Sequence, residues 1–323
     1  ERPATDRRKL TAPMAYPPRF LDELRARLSL AEVVGRRVRL IRRGREYIGL
    51  CPFHKEKTPS FSVVEDKDFY HCFGCGAHGD VIGFTMQMEN LSFPEAVTAL
   101  AAQAGLAVPQ PTREERDRAQ RRAGIEEAVE AAAVFFAETL AATEGRAARE
   151  YLERRGLDAA TIRRFRLGFA PDRRDALKRR LAAQCPEPRL VEAGLLRRPD
   201  GGGETYDYFR GRVIFPITDR SGRPIAFGGR VLGDGQPKYL NSPETPLFEK
   251  GRVLYGWAAA RAAAARAPSA IIVEGYMDVI GLHRAGFTTA VAPLGTALTE
   301  TQIEELWRVA PEPVLCFDGD VAG

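Results

Sequence analysis

Two short motifs constrain this chain more than anything else in it: Cys51-Pro-Phe-His54 and Cys72-Phe-Gly-Cys75. Each puts two residues between a pair of ligand-bearing side chains, the spacing at which one tight turn aims both at a single ion. The segment between the motifs is long enough for a hairpin, and two such turns on neighbouring hairpins complete a tetrahedron. Three thiolates and one imidazole suit zinc. Four protein ligands leave no open position, so the ion is expected to be structural and the small domain around it to need it for folding. His71 adjoins Cys72 and could compete as a ligand, although neighbouring side chains on a strand point to opposite faces. The chain holds five cysteines, an odd number with three inside these motifs, which favours metal binding over disulfides. Cys185 and Cys316 have no paired spacing and read as buried thiols, while His78 and His283 read as ordinary surface or helix residues.

A chain of 323 residues with 44% hydrophobic content exceeds one core of ordinary size and can bury two or three. Around the Cys/His motifs, residues 20–35 read as two short helices, with Ser29 and Glu32 spaced as a capping box. Short alternating runs at 38–41, 45–50, 61–65 and 68–71 read as strands. Residues 80–89 and 93–104 follow as helices, the second capped by Ser92 and Glu95. Together these make a first domain over residues 14–106, preceded by a disordered lead at 1–13, with Met14 a candidate natural start. Residues 107–123, polar and charged with two prolines, read as a linker. A second region, 124–256, has helices at 125–142, 146–155 and 159–165 and strands at 212–217 and 224–231. From 257 to 323 helix and strand alternate, as a parallel sheet with crossover helices requires. No stretch approaches the roughly 20 apolar residues of a membrane helix. The opening residues also lack the apolar core of a secretory signal, so a cytoplasmic protein is expected.

Positive charge is clustered: residues 1–45 carry 13 Lys/Arg against 5 Asp/Glu, and residues 163–180 carry 8 against 2. Such clustering suits a phosphate-bearing partner, although a run of charge can also be a solvated face. Near the zinc motifs, Lys55, Lys57 and Lys67 alternate with Phe53, Phe61, Phe69, Tyr70 and Phe73. Rings exposed on a small sheet can stack unpaired bases while lysines hold phosphates. Some of these rings must form the core; two or three are expected to face solvent, and the residue order does not say which.

Ile271-Ile272-Val273 is a buried strand ending in Glu274-Gly275, and Val314-Leu315-Cys316-Phe317 is a second ending in Asp318-Gly319-Asp320. Strand C-terminal ends in open α/β sheets are where ligand-binding groups collect. Three carboxylates at one sheet edge bind hard cations such as Mg²⁺, and two such ions can steady both oxygens of a phosphoryl transfer. Either acidic motif alone is matched as well by a helix-capping loop.

The run CPFHKEKTPSFSVVEDKDFYHCFGCGAHGDVIGF resembles the zinc-binding domain of bacterial DnaG-type primases along its whole length. VEGYMDVI, APLGTALT and FDGDVAG are similar to the TOPRIM fold in its primase version, and the segments YLERRGLDAATIRRFRLGFAP, FRGRVIFPITDRSGRPIAFGGRVL and PKYLNSPETPLFEKGRVLYG resemble the primase polymerase core, in order. The resemblance covers roughly residues 17–323. It implies an α+β multidomain chain: a zinc ribbon, meaning an antiparallel sheet with helices, then a mixed α/β core ending in a partial TOPRIM parallel sheet. It further implies synthesis of RNA primers on single-stranded DNA from ribonucleoside triphosphates. Glu274, Asp318 and Asp320 become residues of a Mg²⁺ or Mn²⁺ site, with Gly295 and Thr296 in a nearby loop. Arg155, Arg230, Lys238, Tyr239, Asn241 and Lys250 match the family's template and nucleotide groove, and Lys57 and Lys67 join the template-binding set. Zinc is held by Cys51, His54, Cys72 and Cys75, and the zinc domain helps recognise the initiation trinucleotide. The family carries a further acidic pair downstream and a C-terminal domain that engages the replicative helicase. A chain ending at Gly323 is therefore expected to be a fragment that makes no primers by itself, from a protein that acts as a monomer. A topoisomerase or nuclease using the same acidic fold, or a zinc-ribbon binding protein without activity, leaves the primase-like segments or the acidic motifs unexplained.

Overall fold

The computed structural model describes residues 16–264, 269–295 and 297–319, so the expected lead at 1–13 lies outside the described residues. The chain divides into two compact units at Asp117/Arg118. In the first, helices α1 (Pro18–Arg27) and α2 (Leu30–Gly35) precede a five-stranded sheet. The strands are β1 (Ile41–Arg43), β2 (Glu46–Gly49), β3 (Phe61–Val64), β4 (Phe69–Cys72) and β5 (His78–Gly79), in the order β1-β2-β3-β4-β5 and antiparallel throughout. Two helices, α3 (Val81–Glu89) and α4 (Phe93–Ala104), complete the unit. The starts of α2, α3 and α4 each have a local cause. The Ser29 hydroxyl accepts from the Glu32 N–H, the Asp80 carboxylate from the Gly83 N–H, and Ser92 and Glu95 close a capping box. Leu24, Leu30, Phe61, Val63, Tyr70, Phe84 and Leu100 are fully buried among these elements.

Residues 113–123, read from composition as linker, are the first turns of a long helix, α5 (Arg113–Ala141). Thr112 and Glu115 cap it reciprocally, Thr112 Oγ1 accepting from the Glu115 N–H at 3.1 Å and Glu115 Oε2 from the Thr112 N–H at 2.7 Å. The charged residues that argued against packing are good helix formers, and they remain exposed until burial begins at Gly124 and Ile125.

The second unit contains, in chain order, α6 (Arg146–Arg154), α7 (Ala159–Arg164), β6 (Gly168–Ala170), α8 (Ala176–Leu181), α9 (Glu187–Glu192), β7 (Leu196–Arg197) and β8 (Tyr206–Asp207). The long hairpin β9 (Arg212–Thr218) and β10 (Pro224–Val231) is flanked by β6 and β11 (Tyr239–Asn241) in an antiparallel sheet ordered β11-β10-β9-β6. Next come β12 (Leu254–Tyr255), α10 (Trp257–Ala264), β13 (Ile271–Ile272), α11 (Tyr276–Arg284), β14 (Ala290–Pro293), α12 (Glu300–Trp307) and β15 (Val314–Leu315). They form a second sheet ordered β12-β14-β13-β15, parallel at β14/β13 and β13/β15 as the helix–strand alternation implies. Its fourth strand, β12, is antiparallel to β14 and lies before residue 257, so the sheet reaches back across the expected boundary.

One core joins the two sheets, with Val213, Phe215 and Ile217 of β9 packed among Tyr276, Val279 and Ile280 of α11. At the far edge, Val314 and Leu315 are exposed, and Cys316 is exposed too rather than a buried thiol, because β15 has a partner strand on one side only among the described residues. No helix among the described residues is long and apolar enough to cross a membrane.

Candidate functional sites

The zinc motifs converge. The ligand atoms of Cys51, His54, Cys72 and Cys75 all lie within 4.8 Å of one another. Cys51 Sγ is 3.8 Å from Cys75 Sγ, and Cys72 Sγ is 3.7 Å from His54 Nδ1. Cys51 follows β2 and Cys72 ends β4, so the paired strands bring the two turns to the same end of the sheet. Each turn also aims an amide at its first sulfur, Phe53 N–H at Cys51 and Cys75 N–H at Cys72, both at 3.4 Å. Burial raises the Cys72 thiol, but the Ser60 hydroxyl beside it and the Cys75 and Gly74 amides outweigh this and draw the group down to about 6. Burial pushes the Cys51 thiol up to about 12. Three sulfurs and one imidazole nitrogen gathered in so small a space form a donor set that fits zinc, which binds the sulfurs as thiolates.

Glu56, which the motif reading missed, organises the site. One carboxylate oxygen accepts from the Cys51 N–H at 2.7 Å and the Ser60 N–H at 3.1 Å; the other accepts the Ser60 hydroxyl at 2.5 Å and lies 3.2 Å from His54 Nε2. With Nδ1 turned toward the sulfurs and Nε2 held by a carboxylate, the imidazole is oriented as second partners orient metal-bound histidines. The available signal was a carboxylate two residues beyond a ligand.

Strand register settles which rings face out. The row Ile41, Ile48, Ser62, His71, His78 and the row Arg43, Glu46, Val64, Phe69 share one face of the sheet. Phe69 is 38% and Phe73 77% exposed, and the His71 ring stands edge-on to Phe73 at 4.6 Å. Phe61 and Tyr70 are on the other face, stacked at 5.2 Å in the core, where Phe53 packs against both. Lys55, Lys57 and Lys67 are exposed.

In the second unit, β13 and β15 are parallel neighbours, and both run out at the same edge. There the Glu274 carboxylate accepts the Asp318 backbone N–H at 2.5 Å. The two acidic positions are thus brought together beyond adjacent strand ends, with oxygen donors suited to a hard cation. Asp320 and Thr296 lie outside the described residues; Gly295 is exposed just beyond β14.

Of the groove candidates, Arg230 and Tyr239 are directly paired across β10 and β11. The Arg230 guanidinium lies over the Tyr151 ring at 4.4 Å, and Tyr239 is 6.1 Å from Tyr276, two residues past Glu274. Burial raises the Tyr239 hydroxyl, opposed by the nearby charges of Arg230 and Arg155. Lys238 is exposed beside them. Lys250 begins the turn before β12, where its carbonyl accepts from Gln302 of α12 at 3.1 Å. Asn241 has both ends of its side-chain amide engaged, by Tyr276 at 2.6 Å and the Leu294 carbonyl at 2.7 Å.

A cleft of about 310 Å³ also escaped the sequence reading. Arg197, Arg210 and Arg212 line it with Tyr206 and Tyr208, and the guanidiniums of Arg210 and Arg174 stand 5.2 and 5.4 Å from the Tyr206 ring.

A zinc ribbon, an antiparallel sheet carrying basic side chains and a parallel sheet with carboxylates at its strand ends fit a protein of the Toprim class. Comparison with known proteins narrows this. Residues 16–116 match the CHC2 zinc finger, 135–261 the N-terminal domain of the DNA primase catalytic core, and 269–323 the Toprim domain. The chain is similar to the DNA primase of Pseudomonas putida, 49% identical over 95% of this chain and 47% of that protein, and to that of Escherichia coli K12, 45% identical over 94% and 53%. Among solved structures it is similar to the zinc-binding and RNA polymerase domains of Aquifex aeolicus primase, 35% identical with a TM-score of 0.58, covering 96% of this chain and 74% of that one. A DnaG primase catalytic domain bound to single-stranded DNA is 44% identical with a TM-score of 0.59, covering 64% of each chain. The chain belongs to the bacterial DnaG-type DNA primase family, and it spans about half the length of the curated relatives it matches.

Proposed function

We propose that this chain supplies the zinc unit and catalytic core of a DNA primase, which joins ribonucleotides into short RNA primers on a single-stranded DNA template. The carrying observation is the meeting of Glu274 and Asp318 beyond two adjacent parallel strands, in the unit that carries Arg230 and Tyr239. Glu274, Asp318 and Asp320 would hold Mg²⁺ or Mn²⁺, which supplies activation of the attacking 3′-hydroxyl and charge neutralisation on the triphosphate. Around it, Arg155, Arg230, Lys238 and Lys250 offset charge growing on the pyrophosphate leaving group, and Tyr239 and Asn241 belong to the same groove. Arg197 and Arg210, both exposed at the cleft, offer phosphate contacts for the template.

In the zinc unit, Phe69 and Phe73 offer stacking surfaces for unpaired bases, with Lys57 and Lys67 near for phosphates, which supports a part in choosing where synthesis begins. Family membership supports the remaining assignments: ribonucleoside triphosphates as substrates, the replicative helicase as partner through a domain outside this chain, and a monomer at the cytoplasmic replisome. In the full-length protein, Asp318→Ala is expected to abolish nucleotide transfer while leaving single-stranded DNA affinity largely intact. Equal loss of both would refute the assignment.

A further inference from the structure

Asn241 and Tyr276 stand where three segments of the second unit meet. Tyr276 is the first residue of α11, two positions past Glu274. Its ring stacks on Phe215 of β9 at 5.0 Å and 14° and takes the edge of Tyr255 at 4.7 Å. Its hydroxyl donates to Asn241 Oδ1 at 2.6 Å, and Asn241 Nδ2 donates to the Leu294 carbonyl at 2.7 Å. Leu294 follows β14 and precedes Gly295, at the same sheet edge as Glu274. Asn241 is itself fastened, its backbone paired with Gly228 of β10 and its carbonyl accepting from the Tyr208 hydroxyl at 3.1 Å. Gly228 permits the approach, since a Cβ there would meet the Tyr276 ring and hydroxyl at 2.4 Å.

We infer that Asn241 and Tyr276 are positioning residues: together they clamp the Glu274 turn and the Leu294–Gly295 loop to the β10–β11 edge that carries Arg230 and Tyr239. Their consequence for catalysis rests on the primase reading, because the clamp sets the distance between the acidic and basic halves of that site. One bond at each end orients the Asn241 amide between two segments of the fold, so the contribution inferred for it is geometric. A shift near 1 Å at a reacting centre costs up to about a hundredfold in rate.

The test uses the full-length protein carrying Tyr276→Phe, Asn241→Ala and both. Primer synthesis gives kcat and the KM for ribonucleotides, anisotropy gives single-stranded DNA affinity, and hydrogen exchange reports residues 274–278 and 293–298. Tyr276→Phe keeps the stacked ring, so it is informative even if Asn241→Ala folds poorly. Each single variant is expected to lower kcat roughly 10- to 100-fold and to accelerate exchange in both segments at least about fivefold; Tyr276→Phe, which lies outside the groove set, should in addition keep KM and DNA affinity within about twofold. The double variant should be no worse than about twofold below the lower single variant. Multiplied losses in the double variant, unchanged exchange, or faster exchange with wild-type kcat would each overturn the inference. Should the wild-type protein make no primers, the proposed function fails, and unchanged exchange in these variants would separately dismiss the clamp.

Discussion

Alanine at position 74 probes the zinc site where it is tightest. Gly74 lies between the ligands Cys72 and Cys75, and a Cβ there would stand 2.7 Å from His54 Nε2, 2.8 Å from His54 Cε1 and 2.9 Å from Ser60 Oγ. Its backbone is not left-handed, so the penalty is one of space alone. To recover ordinary contact near 3.4 Å the imidazole must retreat by about 0.7 Å. A metal–nitrogen bond tolerates departures of only about 0.2 Å. The neighbours are held as well, because Glu56 accepts the Ser60 hydroxyl at 2.5 Å and lies 3.2 Å from His54 Nε2. Overpacking of this kind costs about 1–3 kcal/mol, which at about 1.4 kcal/mol per decade predicts roughly 5- to 140-fold weaker zinc binding. Competition of the purified chain with a chromophoric chelator measures this directly. Gly83→Ala is the control: its Cβ meets only Asp80 Oδ1, at 3.5 Å, and it should bind zinc like the wild type. Wild-type zinc affinity in Gly74→Ala would refute the claim that this turn and the His54 ring are packed without slack.

Removing zinc with excess chelator should unfold the first unit while the second keeps its melting transition, seen as loss of one of two calorimetric events; survival of both would contradict a structural ion. Phe73→Ala removes a ring that is 77% exposed, so the melting temperature should hold while single-stranded DNA affinity falls by about 1–3 kcal/mol in anisotropy titrations. Unchanged affinity would discard the stacking role. Asp207 gives a pH signature, since burial lifts its carboxyl from 3.8 to about 6 against the lowering effect of the Leu177 and Lys178 amides. The folded form therefore binds the proton more tightly than the unfolded chain, so this residue's contribution to stability falls as pH rises from about 4 to 6 and levels off above. Asp207→Asn should remove that slope, and a wild-type-minus-variant stability difference that stays flat over this window would argue against it.

What residue order determined was whatever depends on close spacing along the chain. Side chains separated by two residues share a turn, so the gathering of Cys51, His54, Cys72 and Cys75 was legible in the sequence, as were the helix caps at Ser29 and Ser92. An apolar run ending in an acidic residue announces a strand end, so Glu274 and Asp318 could be named before their meeting at 2.5 Å was seen. What needed the tertiary structure was every choice made by register or by a distant partner. Phe61 and Phe69 are the same residue type on adjacent strands, yet one is fully buried and the other exposed, because pairing of β3 with β4 assigns them to opposite faces. The antiparallel strand β12 is two residues long, too short for a periodic signal, and exists only because β14 offers an edge. Glu56, Tyr151 and Tyr276 carry no motif that marks what they touch, and the paired amide of Asn241 reflects contacts 35 and 53 residues away. Chelation and capping are local geometry and are written in spacing, whereas the orientation of a side chain in a packed sheet is decided by neighbours that only the completed fold brings together.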